Sequence, residues 1–293
     1  MKAAILYLRF RYGSYLFNKG NYNGAIRIFK NILKKYPDWV IGYSNIGACL
    51  LNNKDYEAAL PYLENSLEIN ENDIEVNHNL MYCYESLGNW GKVFEILDRL
   101  ANLEPDNALH YETKALMYGK DKKYTEAIQN MLSAIAIEPD NEDFYFHLGY
   151  YYWETGEKEK SMEAYQTVLK LNPLNATALN NYGYALSREG RYEGALSYLL
   201  TCIEVEHDFA YAHDNAGLCY LRLGNHAKAL DFINHSITLD PNNSYAYKNR
   251  AKYYIEIGDK EKAIEDLNTA KLLGYEQKYG DEVQEIINSL NDN

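Results

Sequence analysis

Asparagine recurs in this chain at intervals of 34 residues or a multiple of 34. The series comprises Asn45, Asn79, Asn181, Asn215 and Asn249. A side-chain amide both donates and accepts hydrogen bonds, so one asparagine can pair with the carbonyl and the N–H of a peptide group together. A row of asparagines is therefore predicted to hold an extended peptide through its backbone. The alternative, that the amides bond neighbouring helices within the protein, stays open at this point.

Tyrosine is the second residue type in the sequence that suits a binding surface. Six of the 30 tyrosines lie four residues before or three residues after the asparagine position of their repeat, which places them on the same face of a helix. They are Tyr7, Tyr82, Tyr150, Tyr184, Tyr211 and Tyr245. Tyrosine combines a large apolar area with one hydroxyl at a low entropic cost, which suits a ligand contact. With the five asparagines, five of these tyrosines make up the ten residues predicted to bind a ligand: Tyr82, Tyr150, Tyr184, Tyr211 and Tyr245.

Residue patterns for catalysis or metal binding do not appear in the sequence. The histidines scatter over different repeat positions, at His78, His110, His147, His207, His213, His226 and His235. No HExxH motif or phosphate-binding glycine loop occurs. The four cysteines have no CxxC spacing and are interpreted as small packing residues. We therefore expect a non-catalytic protein without a metal or a cofactor.

A 34-residue period positions these side chains. It runs from Leu6 to Gln277, eight times and without insertion or deletion. Glycine recurs at its eighth position and alanine at its twentieth. The predicted repeats are 6–39, 40–73, 74–107, 108–141, 142–175, 176–209, 210–243 and 244–277. A fixed period of this length indicates a solenoid, and the unbroken register predicts a single solenoid over 1–293.

Each period is predicted to fold as two antiparallel helices. In the sixth repeat, apolar residues recur at helical spacing, stop at Gly190 and recur again through the second half. Gly183 and Ala195 reduce the side-chain bulk where the two helices cross, and Leu199 fills the volume that they leave. A last helix is predicted at about 280–290, with one apolar face that caps the final repeat.

This pattern resembles the tetratricopeptide repeat, and the resemblance covers nearly the whole chain. The motif is most complete in the fifth repeat, as Tyr145, Leu148, Gly149, Tyr152, Tyr165 and Pro173. The resemblance implies an all-α, right-handed superhelical solenoid. It also implies that the second, sixth, ninth and thirteenth positions of each repeat line a concave groove, which includes the asparagines and tyrosines above.

Charge limits the kinds of partner that are expected. The chain carries 29 basic and 42 acidic residues, a net charge of −13, which disfavours nucleic acid and anionic membranes as partners. Four acids lie at the groove positions or directly beside them, Glu75, Glu112, Asp143 and Asp214. Lys248 and Lys252 are the basic exceptions that we identify there. Because the basic clamp that related domains use for acidic chaperone tails is missing, we expect a neutral to basic protein or extended peptide as partner.

Two alternatives remain within non-catalytic binding. The groove could hold a folded and possibly basic protein, as an inhibitor or immunity protein does, or the solenoid could self-assemble through an end. Stoichiometry and binding to a short unfolded fragment would separate these from peptide binding. The cysteine usage and the lack of an 18-residue apolar stretch predict a cytoplasmic protein.

Overall fold

The computed structural model describes residues 2–275 and 280–291, and these residues form helices and no strands. This confirms the all-α class. The contacts divide the chain into two compact units, Met1–Pro139 (unit 1) and Asp140–Asn293 (unit 2). Each unit has its own set of helix pairs.

Unit 1 contains eight helices among its described residues. They are α1 (Lys2–Asn18), α2 (Tyr22–Leu33), α3 (Val40–Asn52), α4 (Tyr56–Ile69), α5 (Ile74–Ser86), α6 (Trp90–Leu103), α7 (Ala108–Lys120) and α8 (Tyr124–Ile137). Each odd-numbered helix packs on the even-numbered helix that follows it, as the two halves of one repeat. The core includes Phe29, Leu63 and Leu97, all fully buried.

Unit 2 continues the same pattern of helix pairs. Its helices are α9 (Glu142–Glu154), α10 (Lys158–Leu171), α11 (Ala176–Arg188), α12 (Tyr192–Val205), α13 (Ala210–Arg222), α14 (His226–Leu239), α15 (Ser244–Glu256), α16 (Lys260–Leu272) and α17 (Glu282–Asn291). Helix α17 confirms the predicted last helix. Its Val283 and Ile287 are buried in one cluster with Leu267 of α16.

Small residues allow the paired helices to cross closely, as predicted. A Cβ atom at Gly183 would lie 2.7 Å from Cγ of Leu199. At Gly217 it would lie 2.6 Å from Cγ1 of Ile233. Real side chains do not approach so closely, so glycine is required for these crossings.

The turn between paired helices has a left-handed residue at the same position of all eight repeats. Glycine occupies it six times, with φ between 70° and 83°. Lys54 and Lys122, both in unit 1, adopt φ of 60° and 58° in the other two repeats. These lysines adopt the left-handed backbone conformation, which glycine adopts at a lower energetic cost.

The cysteines pack as predicted. Cys49, Cys83, Cys202 and Cys219 are all buried free thiols. Burial raises the pKa of Cys83 and of Cys202 to about 11. Both thiols lie 3.1 Å from a backbone carbonyl oxygen of an earlier helix.

None of the described helices combines the length and the apolar character needed to cross a membrane.

Candidate functional site in unit 2

The first helices of three successive repeats, α11, α13 and α15, build a cavity in unit 2. Helix α13 contacts α11 on one side and α15 on the other. The cavity has a volume of about 340 Å³. It is lined by Thr177, Asn180, Asn181, Tyr184, Phe209, Tyr211, Asp214, Asn215 and Tyr245. Five of the ten residues of the sequence-predicted ligand-binding set therefore surround one space: Asn181, Tyr184, Tyr211, Asn215 and Tyr245.

Aromatic rings form the open side of this cavity. Tyr211 is 47% exposed, and its ring meets that of Tyr245 edge-on with centroids 6.5 Å apart. Tyr184 is half-buried, and its ring centroid lies 5.4 Å from that of Trp153. These rings offer apolar area to a ligand while their neighbours limit their movement.

Amide groups form part of the cavity floor and link neighbouring repeats. The buried Asn215 donates from Nδ2 to Oδ1 of Asn180 at 3.0 Å. Asn180 donates to Oδ1 of Asn181 at 3.1 Å, and Asn181 lies 3.4 Å from the hydroxyl of Tyr165. Oδ1 of Asn215 accepts no hydrogen bond from the described residues, so this atom retains capacity for a ligand.

A similar link joins α15 to α13, with a carboxylate as the acceptor in place of an amide. Asn249 donates to both oxygens of Asp214 at 3.0 Å. Asp214 is 2% exposed. Burial raises the pKa of Asp214 to about 7, against the opposing effects of the Asn249 hydrogen bond and the charges of Lys252 and Lys248. Asp214 therefore changes its charge near neutral pH.

Four cations lie on the same side of unit 2, and sequence analysis identified two of them. Lys248 forms an ion pair with Glu282 at 2.6 Å. Burial, together with the charges of Lys248, Arg222 and Arg188, lowers the pKa of the half-buried Lys252 to about 8, against the opposing charge of Glu282. Arg188 and Arg222 occupy the thirteenth position of their repeats, which the groove pattern includes, so their periodic position was the signal that could have identified them.

The other predicted residues do not line this cavity. In unit 1, Asn45 donates to the carbonyl of Ile41 in its own helix at 2.7 Å. The side chain of Asn79 makes no hydrogen bond to the described residues. The Tyr82 ring, 48% exposed, meets Tyr56 edge-on at 5.9 Å. Three members of the predicted groove face remain: Tyr7 in unit 1 and Tyr150 in unit 2 are exposed, and Asn249 lies buried beside Asp214.

The two interpretations of the asparagines can now be separated by residue. The interpretation that the amides bond neighbouring helices is correct for Asn181, Asn215 and Asn249, whose side chains donate to residues of the preceding repeat. Asn45 and Asn79 make no such bond among the described residues. Ligand binding by any of the ten residues stays a prediction.

Models of one repeat family match most of the chain. A model described as "TPR repeat" matches residues 115–156. Four models described as "Tetratricopeptide repeat" match 11–74 with 147–204, 50–117, 210–243 and 232–265. Together they span 11–204 and 210–265.

Solved structures share this fold at low sequence identity. The C-terminal part of a TPR repeat-containing protein from Cytophaga hutchinsonii is 19% identical, with a TM-score of 0.66, over 82% of this chain and 98% of that one. The APC/C hetero-tetramer Cut9–Hcn1 gives 15% identity and a TM-score of 0.59 over 97% of this chain and 55% of that one. These similarities show the fold alone.

One similar sequence is the protein unc-45 homolog B of Xenopus tropicalis. It is 27% identical over 104 residues, which cover 34% of this chain and 11% of that protein. The chain therefore matches about a tenth of this relative and about half of the Cut9–Hcn1 chain.

Proposed function

This chain belongs to the tetratricopeptide-repeat family, and we propose that it is a non-catalytic adaptor that holds an extended peptide segment of a protein partner in the cavity of unit 2. The fold is that of a protein-interaction scaffold. The observation that carries the proposal is the 340 Å³ cavity around which five predicted residues meet. Cut9–Hcn1 is a hetero-tetramer, and from it we take only the expectation that the partner is a protein.

The proposed contacts follow from the groups that the cavity presents. Asn181 and Asn215 pair with the backbone of the peptide, with Oδ1 of Asn215 accepting a peptide N–H. Tyr184, Tyr211 and Tyr245 hold one apolar or neutral side chain, since a centrally placed tyrosine pocket is a common energetic centre of an interface. Asn249 has a supporting part, because its amide hydrogens are directed to Asp214.

The local charge favours an acidic group in one part of the ligand. A carboxylate beside Lys252 would stabilise the charged form of this lysine, which burial and three neighbouring cations now disfavour. We therefore propose a carboxylate next to Lys252. The wider expectation of a neutral to basic partner rests on Glu75, Glu112 and Asp143 and stays a prediction.

A catalytic role for Asp214 is the competing interpretation of its raised pKa, because perturbed acids in clefts are common in active sites. Burial accounts for the shift in the pKa, and both carboxylate oxygens accept from Asn249. We propose a structural role for this acid instead. The four buried free thiols support a reducing compartment, and we propose the cytoplasm.

A displayed library of random peptides, selected against the whole chain, tests the proposal. We expect enriched peptides that bind Y211A at least tenfold more weakly than the wild type. Tyr82→Ala in unit 1 is the matched control, because Tyr82 is 48% and Tyr211 is 47% exposed. Peptides that lose affinity through Y82A and keep it with Y211A would contradict the proposed site.

The same selection separates the two alternatives. If the partner is recognised only as a folded protein, no short peptide should be enriched. If the chain self-assembles, sedimentation should show a concentration-dependent increase in mass. If no peptide is enriched, peptide binding is replaced as the proposed function. A concentration-dependent mass would then favour self-assembly, and a constant mass would favour a folded partner.

A further inference from the structure

Two histidines and a glutamate converge in unit 1, far from the cavity of unit 2 in sequence and outside the proposed function. His78 lies in α5, Glu104 caps the C-terminus of α6, and His110 lies in the first turn of α7. Their ligand atoms all lie within 4.8 Å of one another. The histidines scatter along the sequence, but the fold brings these two together across consecutive repeats.

One carboxylate oxygen is the centre of this cluster. Oε2 of Glu104 accepts from Nε2 of His110 at 2.8 Å and from Nε2 of His78 at 3.3 Å. The hydrogen bond from His110 lowers the pKa of Glu104, so that the carboxylate is ionised at neutral pH. Three potential ligand atoms, two imidazole nitrogens and one carboxylate oxygen, thus already lie close together.

We propose that His78, Glu104 and His110 form a Zn²⁺-binding site. Two imidazoles and a carboxylate are ligands that zinc accepts, with bonds of about 2.0–2.2 Å. Ligand atoms on a tetrahedral ion are then about 3.3 Å apart, which is close to the two separations from Oε2. Each imidazole binds through Nε2 once its proton has moved to Nδ1, so the two hydrogen bonds to Glu104 are replaced by three metal–ligand bonds, two from the imidazoles and one from Oε2 of Glu104.

Burial of the ligands explains how the site holds the ion and how the ion enters. The His110 side chain is 1% exposed, which fixes its ring, while His78 is 37% and Glu104 is 28% exposed. A rotation of the accessible His78 side chain would bring its Nε2, which lies within 4.8 Å of the other ligand atoms, to bonding distance from the ion. Water takes the fourth position from that side, as in zinc sites with three protein ligands. The bound ion links α5, α6 and α7.

The test is a Zn²⁺ titration of the full chain, purified without a polyhistidine tag and stripped of metal, against a chromophoric chelator. We expect one ion per chain. His78→Gln should weaken the affinity at least tenfold, and this variant should fold because His78 is partly exposed. His226→Gln is the matched control, because His226 is an exposed histidine of unit 2. This variant should bind Zn²⁺ with the affinity of the wild type.

Two further measurements distinguish a defined site from general histidine binding. Co²⁺ in place of Zn²⁺ should give a visible d–d absorption band that is lost in both His78→Gln and Glu104→Gln. Zn²⁺ at a concentration that just saturates the wild type should raise the unfolding temperature of the wild type and raise that of His78→Gln less. Equal affinities in the wild type, His78→Gln and His226→Gln, or no binding at all, would overturn the proposal without bearing on the cavity of unit 2.

Discussion

The two units use the same repeat positions differently, although both are built from the same helix pairs. In unit 2, Asn215 and Asn249 bond to the fifth position of the preceding repeat, which joins α13 to α11 and α15 to α13. In unit 1, Asn45 bonds to its own helix. The fifth position of the third repeat is instead His78, which meets His110 through Glu104. A recurring residue type therefore does not imply a recurring role.

Unit 2 has small residues at its turns and helix crossings more consistently than unit 1. Unit 2 has glycine at the left-handed position of all four turns between paired helices, whereas unit 1 has Lys54 and Lys122 at two of its four. At the eighth repeat position, unit 2 has three glycines and an alanine, whereas unit 1 includes Met81. Unit 2 thus follows the repeat pattern more closely, and its first helices are joined by buried polar bonds. Substitutions at matched positions of the two units should expose this difference.

The largest effect is expected from a bulky residue at a close crossing. Gly183→Leu should destabilise unit 2 by about 3 kcal/mol, because the new side chain would overlap Leu199. Met81→Leu, the matched change in unit 1, conserves volume and should cost less than about 1 kcal/mol. Urea unfolding followed by circular dichroism measures both. Equal stability of Gly183→Leu and the wild type would show that the crossing is not as close as described.

The next largest effect is expected from removing a cross-repeat amide. Asn249→Ala leaves the buried Asp214 without its hydrogen-bond donor, which should cost about 2–3 kcal/mol at pH 8. Asn45→Ala should cost less than about 0.5 kcal/mol, because Asn45 is half-buried and bonds within its own helix. Urea unfolding midpoints at one pH decide the comparison. Similar losses in both variants would remove the distinction between the units.

The third prediction concerns the pH dependence that Asp214 gives to unit 2. The pKa of Asp214 is raised from 3.8 to about 7 in the folded chain, so the folded state retains this proton after the unfolded state has lost it. Its stabilising contribution is present below pH 4 and is lost as the pH rises to 7. Between pH 5 and pH 8, the wild type should lose about 2 kcal/mol more stability than Asp214→Asn.

The Asp214→Asn variant is suited to this test because the sixth repeat already contains the arrangement that it would create. Asn180 accepts from Asn215 there and donates to Asn181. The amide introduced by Asp214→Asn would likewise accept from Asn249 and donate to the available Oδ1 of Asn215. Unfolding midpoints at pH 5 and pH 8 provide the measurement, and parallel changes in the two proteins would show that Asp214 titrates normally.

The smallest effect is expected at the turns. Lys54→Gly should stabilise unit 1 by about 0.5–1 kcal/mol, because lysine at φ 60° is replaced by a residue that tolerates this conformation. Gly156→Lys in unit 2 reverses the exchange at the same repeat position and should destabilise by a similar amount. Thermal unfolding of the two variants measures the changes. A loss of stability in Lys54→Gly would contradict this explanation of the turn.

Much of the fold follows from the period alone, because helix spacing, crossings and turns repeat with it. The positions of Tyr184, Tyr211 and Tyr245 around one cavity also follow from their common helix face. The partners of Asn215 and Asn249 could not be predicted in this way. They depend on the residue 35 positions earlier, and that offset becomes visible only when neighbouring helices are packed.

The cluster of His78, Glu104 and His110 escaped sequence analysis for a similar physical reason. Glu104 is at the end of a second helix, and the two histidines occupy different positions of adjacent repeats. No local spacing motif connects them, and the pattern of the repeat does not include the end of α6. Only the packing of α5 beside the turn between α6 and α7 brings the three side chains together.

Hydrogen exchange of the whole chain, with and without a library-selected peptide, tests most directly whether unit 2 carries the binding surface. We expect the peptide to slow exchange in α11, α13 and α15. Exchange in α3 and α5 of unit 1 should remain unchanged. Protection of α3 and α5 without protection of α11, α13 and α15 would place the ligand in unit 1 and contradict the proposed binding surface of unit 2.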